Sequence, residues 1–176
     1  ELPPPQESGK SDYGRYILGS QFNIPLDQRR LKTSLQSGSI NEELTLRDNG
    51  IIMHDLFATI TSKSDVDRVE DPHIREIVRK TIASVDMYGW FSDEYKVMKE
   101  CTIIEPDGAL SRPDRVMTKG NRAIVTDYKF GEFTPLNKKY HKQVQRYMQL
   151  LMEMGYTVVE GYLWYPIAGK VETVLL

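Results

Sequence analysis

Apolar residues recur at helical spacing in three stretches of the chain, and five other stretches read as strands. After Asn49, Met53, Leu56, Phe57 and Ile60 fall at i, i+3, i+4 and i+7, one buried stripe of a helix. Asp71-Pro72 opens a second helix as cap and first turn, with Ile74, Ile77, Val78, Ile82 and Val85 as its apolar face. A third runs from about Asn137 to Met154. Tyr140, Val144, Tyr147, Met148 and Leu151 lie along one side, and Gly155 is its stop. The strand-like runs are Tyr95–Ile104, Gly108–Met117, Arg122–Tyr128, Tyr156–Tyr165 and Lys170–Leu175. Pro106-Asp107-Gly108 and Lys119-Gly120-Asn121 supply turns between the first three. The order predicts an α/β (α+β) fold, an antiparallel three-strand meander in a sheet with helices packed on it.

A chain of 176 residues suits one domain, here 13–176, behind a proline-rich linker or disordered start at 1–12, ELPPPQESGKSD. Residues 13–48 mix short apolar pieces with basic and turn residues and predict no element. The first residue is Glu1 rather than Met, which is expected of a piece of something longer. No apolar run has the length to span a bilayer, so no membrane partner is expected. The single cysteine, Cys101, excludes an internal disulfide framework and a four-cysteine zinc or iron–sulfur site. A reducing, cytoplasmic setting fits.

The net charge of −2 is unevenly spread. Residues 112–146 carry nine Lys or Arg against three Asp or Glu, +6, and the remainder carries −8. A local positive field suits a polyanion.

Candidate chemistry lies inside that basic stretch. Pro113-Asp114 stands thirteen residues ahead of Asp127-Tyr128-Lys129. On a strand, Asp127 and Lys129 at i and i+2 share a face. Two carboxylates holding a divalent cation, with an amine beside them, are equipped to activate water against a phosphodiester. Each segment alone also reads as a solvated salt-bridging strand or a strand-edge turn. His54, beside the first apolar stripe, is a candidate imidazole ligand, and Gly50 clears room one turn earlier. On the third helix Gln143 and Tyr147 share a face at i and i+4, among Lys139, Lys142 and Arg146. They suit phosphate orientation or base stacking, with the cations on backbone. Glu100 is a further possible acid.

Together these residues resemble the PD-(D/E)xK nuclease superfamily, and within it the RecB-like nuclease domain. Gly50-Ile51-Ile52-Met53-His54 resembles its G-xxx-H helix motif, and Ser111-Arg112-Pro113-Asp114 its G-x-x-D segment. Asp127-Tyr128-Lys129, followed by Gly131, resembles D-x-K. Tyr140, Gln143 and Tyr147 resemble Y-xx-Q-xxx-Y. Ser111 and Pro113 depart from the usual glycine and aliphatic residue, and Pro113 suggests a bulge or edge. The resemblance implies a restriction-endonuclease-like core and Mg²⁺ or Mn²⁺ held by His54, Asp114, Asp127 and the Tyr128 backbone carbonyl. It makes Asp114, Asp127 and Lys129 catalytic, with Lys129 polarising the attacking water. Gln143, Tyr147, Lys139, Lys142 and Arg146 would bind DNA. The expected partners are single-stranded DNA or linear duplex ends, an upstream helicase, and a second helicase–nuclease subunit, as in AddA- or RecB-type enzymes of DNA repair and recombination. Exonuclease action is the expected mode. The lack of cysteines points away from the iron–sulfur branch. A non-catalytic DNA-binding or scaffold module, and a stand-alone exonuclease or restriction-type enzyme, are the other classes compatible with these residues.

Overall fold

The structure is a computed structural model and describes residues 53–176. Gly50, the linker at 1–12 and the stretch 13–48 lie outside the described residues.

Helical residues 53–59 (α1) carry the first apolar stripe, and Leu56, Phe57 and Ile60 are buried. A 3₁₀ turn at Lys63–Arg68 leads to α2, Pro72–Ala83. Asp71 caps α2 by accepting hydrogen bonds from the backbone N–H groups of His73 (2.9 Å) and Ile74 (3.2 Å), as the Asp-Pro pair predicts. Ile74, Val78 and Ile82 are buried. Ile77 is not part of that face, being 37% exposed. Val85 is buried but lies beyond the helix end.

The first two expected strands are each broken in two. β1 is Lys96–Lys99 and β2 Ile103–Ile104; β3 is Leu110–Ser111 and β4 Arg115–Lys119. Glu100 causes the first break, because its φ of 46° lies in the left-handed region. Pro113 sits in the second break, where its missing N–H costs no ladder bond. β2 and β3 leave the main sheet as a separate two-stranded ribbon. β5, Arg122–Tyr128, follows β4 through Gly120-Asn121, with Gly120 at φ 59°. Asn137 caps α3, Lys138–Glu153, and Gly155 at φ 102° follows the helix end. β6, Val158–Tyr165, and β7, Lys170–Val174, complete the chain.

The main sheet has the order β1-β4-β5-β6-β7. All its pairs are antiparallel except β5 with β6, which α3 joins as a parallel crossover. The fold is therefore mixed α/β around a five-stranded mixed sheet that contains the expected meander, β1-β4-β5. Strand alternation sorts the core into two layers. Met117, Ile124, Tyr128 and Trp164 face α1 and α2. Val116, Val125, Leu163 and Tyr165 face α3.

One charged side chain is buried in the first layer. Arg115, 0% exposed, donates to the carbonyls of Ile60 (2.8 Å), Thr61 (2.5 Å) and Trp90 (2.9 Å). Its guanidinium also lies 4.3 Å from the centre of the Phe91 ring. It thereby fastens the end of α1 to the sheet.

Candidate active site

The β4–β5 register sets the site. Pairs run from Lys119↔Arg122 to Arg115↔Thr126. Asp114 and Asp127 are the next residues beyond the last of these pairs, and they lie close enough for the Asp114 charge to act on Asp127. The carboxylate pair thus sits where β5 ends beside its parallel neighbour β6, the end of a parallel pair at which open α/β sheets place ligands.

Each acid has a basic partner, one from α1 and one from the end of β5's own segment. His54 on α1 places Nε2 2.8 Å from Asp114 Oδ1. Asp114 Oδ2 accepts the Tyr128 backbone N–H at 2.6 Å. Lys129 Nζ is ion-paired with Asp127 Oδ2, charge on charge, since that buried oxygen makes no aligned hydrogen bond. Lys129 also donates to Gln143 Oε1 (3.2 Å) and lies 4.3 Å from the centre of the Tyr140 ring. Gln143 Nε2 donates to the Tyr147 hydroxyl (2.9 Å), which donates to the Arg112 carbonyl (3.3 Å). A continuous polar chain therefore runs from Asp127 through α3 to the segment carrying Asp114.

Glu100 joins the other end. Its Oε1 is 3.1 Å from His54 Nδ1, and its backbone N–H donates to the Asp114 carbonyl at 2.8 Å. The His54 ring is held edge-on between Tyr128 and Phe130. A metal-bound histidine usually gives its second ring N–H to a carboxylate, and Glu100 occupies that place.

The electrostatics match the geometry. Burial, with the Asp114 charge next, pushes Asp127 up to about 6, outweighing Lys129. The hydrogen bond to Asp114 is the largest influence on His54 and raises it despite burial. Burial pushes the Tyr147 hydroxyl up to about 12, so it stays a neutral donor. Burial likewise pushes the Cys101 thiol up to about 11 and keeps it unreactive.

The donor set, two carboxylates and an imidazole, suits a hard divalent cation. The 2.8 Å between His54 Nε2 and Asp114 Oδ1 is close to the about 3 Å expected of adjacent ligands on Mg²⁺-length bonds. The buried Asp127 carboxylate has the Lys129 ammonium as its partner at Oδ2. Tyr128 turns its N–H toward Asp114, and a strand residue directs its carbonyl to the same side. In the arrangement shown, His54 and Lys129 neutralise the acids. Among the described residues, no group of three or more His, Cys, Asp or Glu surrounds a common ion position.

The remaining candidates divide. Lys139 and Lys142 are exposed on α3 with no ion-pair partner among the described residues. Arg146 is engaged instead. Its guanidinium holds Glu105, with Nε–Oε2 at 3.0 Å, and reaches Glu153 at 3.8 Å. The Tyr147 ring is core, so only its hydroxyl reaches the site. Other cations of the basic stretch are also paired: Lys119 with Glu94 and Arg122 with Glu160. Within 112–146, the exposed cations left without partners among the described residues are Arg112, Lys138, Lys139 and Lys142. Arg112 and Lys138 carry no motif of their own, and only the pairing pattern singles them out.

Comparisons with protein-family models, curated proteins and solved structures return no match. The functional reading therefore rests on geometry and on the motif resemblance.

Proposed function

We propose that this chain is a metal-dependent phosphodiester hydrolase acting on DNA, a nuclease of the PD-(D/E)xK type with a restriction-endonuclease-like core. The observation that carries the reading is the Asp114–Asp127 pair, with His54 on one acid and Lys129 on the other. His54, Asp114, Asp127 and the Tyr128 carbonyl would hold Mg²⁺ or Mn²⁺. When bound, the ion supplies Lewis acidity and a water of lowered pKa. Lys129 stabilises the charge that develops on the phosphate oxygens, as a donor fixed before reaction. Gln143 fixes Lys129, and Tyr147 fixes Gln143, so α3 aims the ammonium. Arg112, Lys138, Lys139 and Lys142 take the phosphate backbone. Exonuclease action, a tether to an upstream helicase, a second subunit, a role in DNA repair and a cytoplasmic setting belong to the same proposal. No helix among the described residues is long and apolar enough to cross a membrane.

The test is cleavage of linear single- and double-stranded DNA with Mn²⁺, Mg²⁺ or EDTA, beside Lys129→Ala. Metal-dependent cleavage lost in the variant supports the reading. Equal cleavage by both proteins refutes the role of Lys129. The ion-paired state of Lys129 and Asp127 favours one second reading, a DNA-binding module that does not cut. Binding without cleavage under every metal condition would select it.

A further inference from the structure

The β2–β3 ribbon has no part in the chemistry described so far, yet it leads directly into Asp114. Its cross-strand pair Ile104↔Leu110 is exposed on one face, Ile104 at 43% and Leu110 at 70%. Pro106 and Ala109 at the tip are exposed as well. The neighbouring pair, Ile103↔Ser111, turns the other way, and Ile103 is buried. The ribbon's two acids differ: Glu105 is buried and ion-paired, and Asp107 is exposed at the tip. Asp107 accepts the Ala109 N–H at 2.9 Å. Glu105 is held by Arg146 and by the Ser111 hydroxyl at 2.6 Å. The Ile104/Leu110 face is therefore apolar, with the exposed Asp107 confined to the turn beyond it.

The ribbon is also braced at both ends. Arg146 ties Glu105 to α3, and the Tyr147 hydroxyl ties the Arg112 carbonyl to the same helix. Gln143 lies on that helix too. The apolar pair is thus fixed relative to Lys129 through one rigid element. Leu110 is four residues from Asp114, a reach of at most about 14 Å along the chain. That equals roughly four nucleotides of stacked strand.

We propose that Ile104 and Leu110 form a platform for the unpaired bases of a single-stranded polynucleotide crossing the site. The inference rests on the nuclease reading and narrows its substrate. Base faces are apolar, but inside a duplex they are hidden in the stack, and the groove edges are polar. An apolar platform beside unpaired cations therefore favours a strand whose bases are open. Apolar side chains such as Leu and Ile contact base faces where stacking is broken. Arg112, next to the ribbon, and the lysines of α3 take the phosphates while the platform takes the bases.

The experiment measures fluorescence anisotropy with the 176-residue chain in EDTA, so that nothing is cut. The probes are a labelled thymidine homopolymer, an abasic polymer of the same length and a blunt duplex. The variant is Ile104→Ser/Leu110→Ser. Both side chains are exposed, and thermal melts that match the wild type show the variant folded. The wild type should prefer the homopolymer to the abasic polymer and the duplex. The variant should lose about five- to tenfold on the homopolymer and nothing on the abasic polymer, the size of one lost base contact. Unchanged homopolymer binding by the variant, or tighter wild-type binding of the duplex, overturns the platform. Either result leaves the nuclease reading to the Lys129→Ala assay. Failure of the wild type to bind any of the three overturns the platform and leaves the nuclease reading to the cleavage assay.

Discussion

Replacing Gly161 with alanine tests whether α3 is seated as tightly on the sheet as the site requires. Gly161 lies in the middle of β6, between Val125 and Val174, on the face toward α3. A Cβ there would come 2.4 Å from Met148 Sδ and 2.8 Å from Val144 Cγ1. Carbon atoms in contact prefer about 3.5–4.0 Å. Met148 can turn its thioether away, because its side chain is unbranched and flexible. Val144 cannot, because a β-branched residue in a helix has one strongly preferred rotamer. The helix itself must therefore rise by about 0.7 Å to restore ordinary contact. Overpacking of this kind costs about 1–3 kcal/mol. The backbone of Gly161 suits alanine, so loss of unfolded-state freedom returns about 0.4–1 kcal/mol. The net expectation is a loss of about 1–2 kcal/mol, or a fall in Tm of about 2–8 °C. Urea denaturation of Gly161→Ala, Val144→Ala and the double variant measures it. The valine methyls and the alanine Cβ compete for one space, so the double variant should recover about 1 kcal/mol or more over additivity. A Gly161→Ala protein as stable as the wild type, or strict additivity, would refute the seating. Gln143 and Tyr147 flank Val144 and Met148 on the same helix, so cleavage should fall further than the stability loss explains.

Asp127→Asn should raise Tm above pH 6 while abolishing cleavage. The folded-state pKa of Asp127 is raised to about 6, so its contribution to stability is present below about 4 and lost as pH rises through about 6. A melting series from acid to neutral pH checks that the variant lacks this decline; an unchanged pH profile counts against the burial argument. His54, also raised, acts in a separate and higher window, its contribution being lost above the ordinary histidine value. Arg115→Met should cost about 3 kcal/mol or more in urea denaturation, since it orphans three carbonyls, and Arg115→Lys should not rescue it, lacking the planar fork. Glu100→Gly relieves a left-handed residue, worth about 1 kcal/mol, yet removes the carboxylate behind His54. It should hold or raise Tm while weakening Mn²⁺ binding about 10- to 100-fold by calorimetry, and unaltered Mn²⁺ affinity would separate Glu100 from the site.

What could be read from the residues alone depended on how local each determinant is. Asn137, Gly155 and the apolar stripe between them define α3 by neighbouring interactions, and the helix ends where those signals stand. β5 and the Gly120-Asn121 turn are legible for the same reason. Pro113 marks an interruption by its missing N–H, and a break stands there; the break at Glu100 was not legible, because Glu100 adopts its conformation in company with His54 and Asp114, which are distant in sequence. Arg146 shows the same limit at the site. Its spacing with Lys139 and Lys142 marks it as one of a basic row, and only the folded ribbon brings Glu105 to it. The i, i+2 relation of Asp127 and Lys129 and the i, i+4 relation of Gln143 and Tyr147 were visible. The link from Lys129 to Gln143 was not, since it needs β5 and α3 side by side.

Asp114 and Arg115 are consecutive, Asp114 in the bend that leads into β4 and Arg115 its first residue, and their side chains go to different surroundings. One meets the hydrated end of the sheet, and the other is sealed under α1 with three carbonyls. A slip of one residue between β4 and β5 would exchange these destinations, driving a carboxylate among backbone oxygens and a guanidinium into the acid pair. Such a chain could not fold stably and could not gather its acids. Register in this hairpin therefore ties stability to the site: the pairing that buries Arg115 on its three carbonyls is the same pairing that gathers the acids.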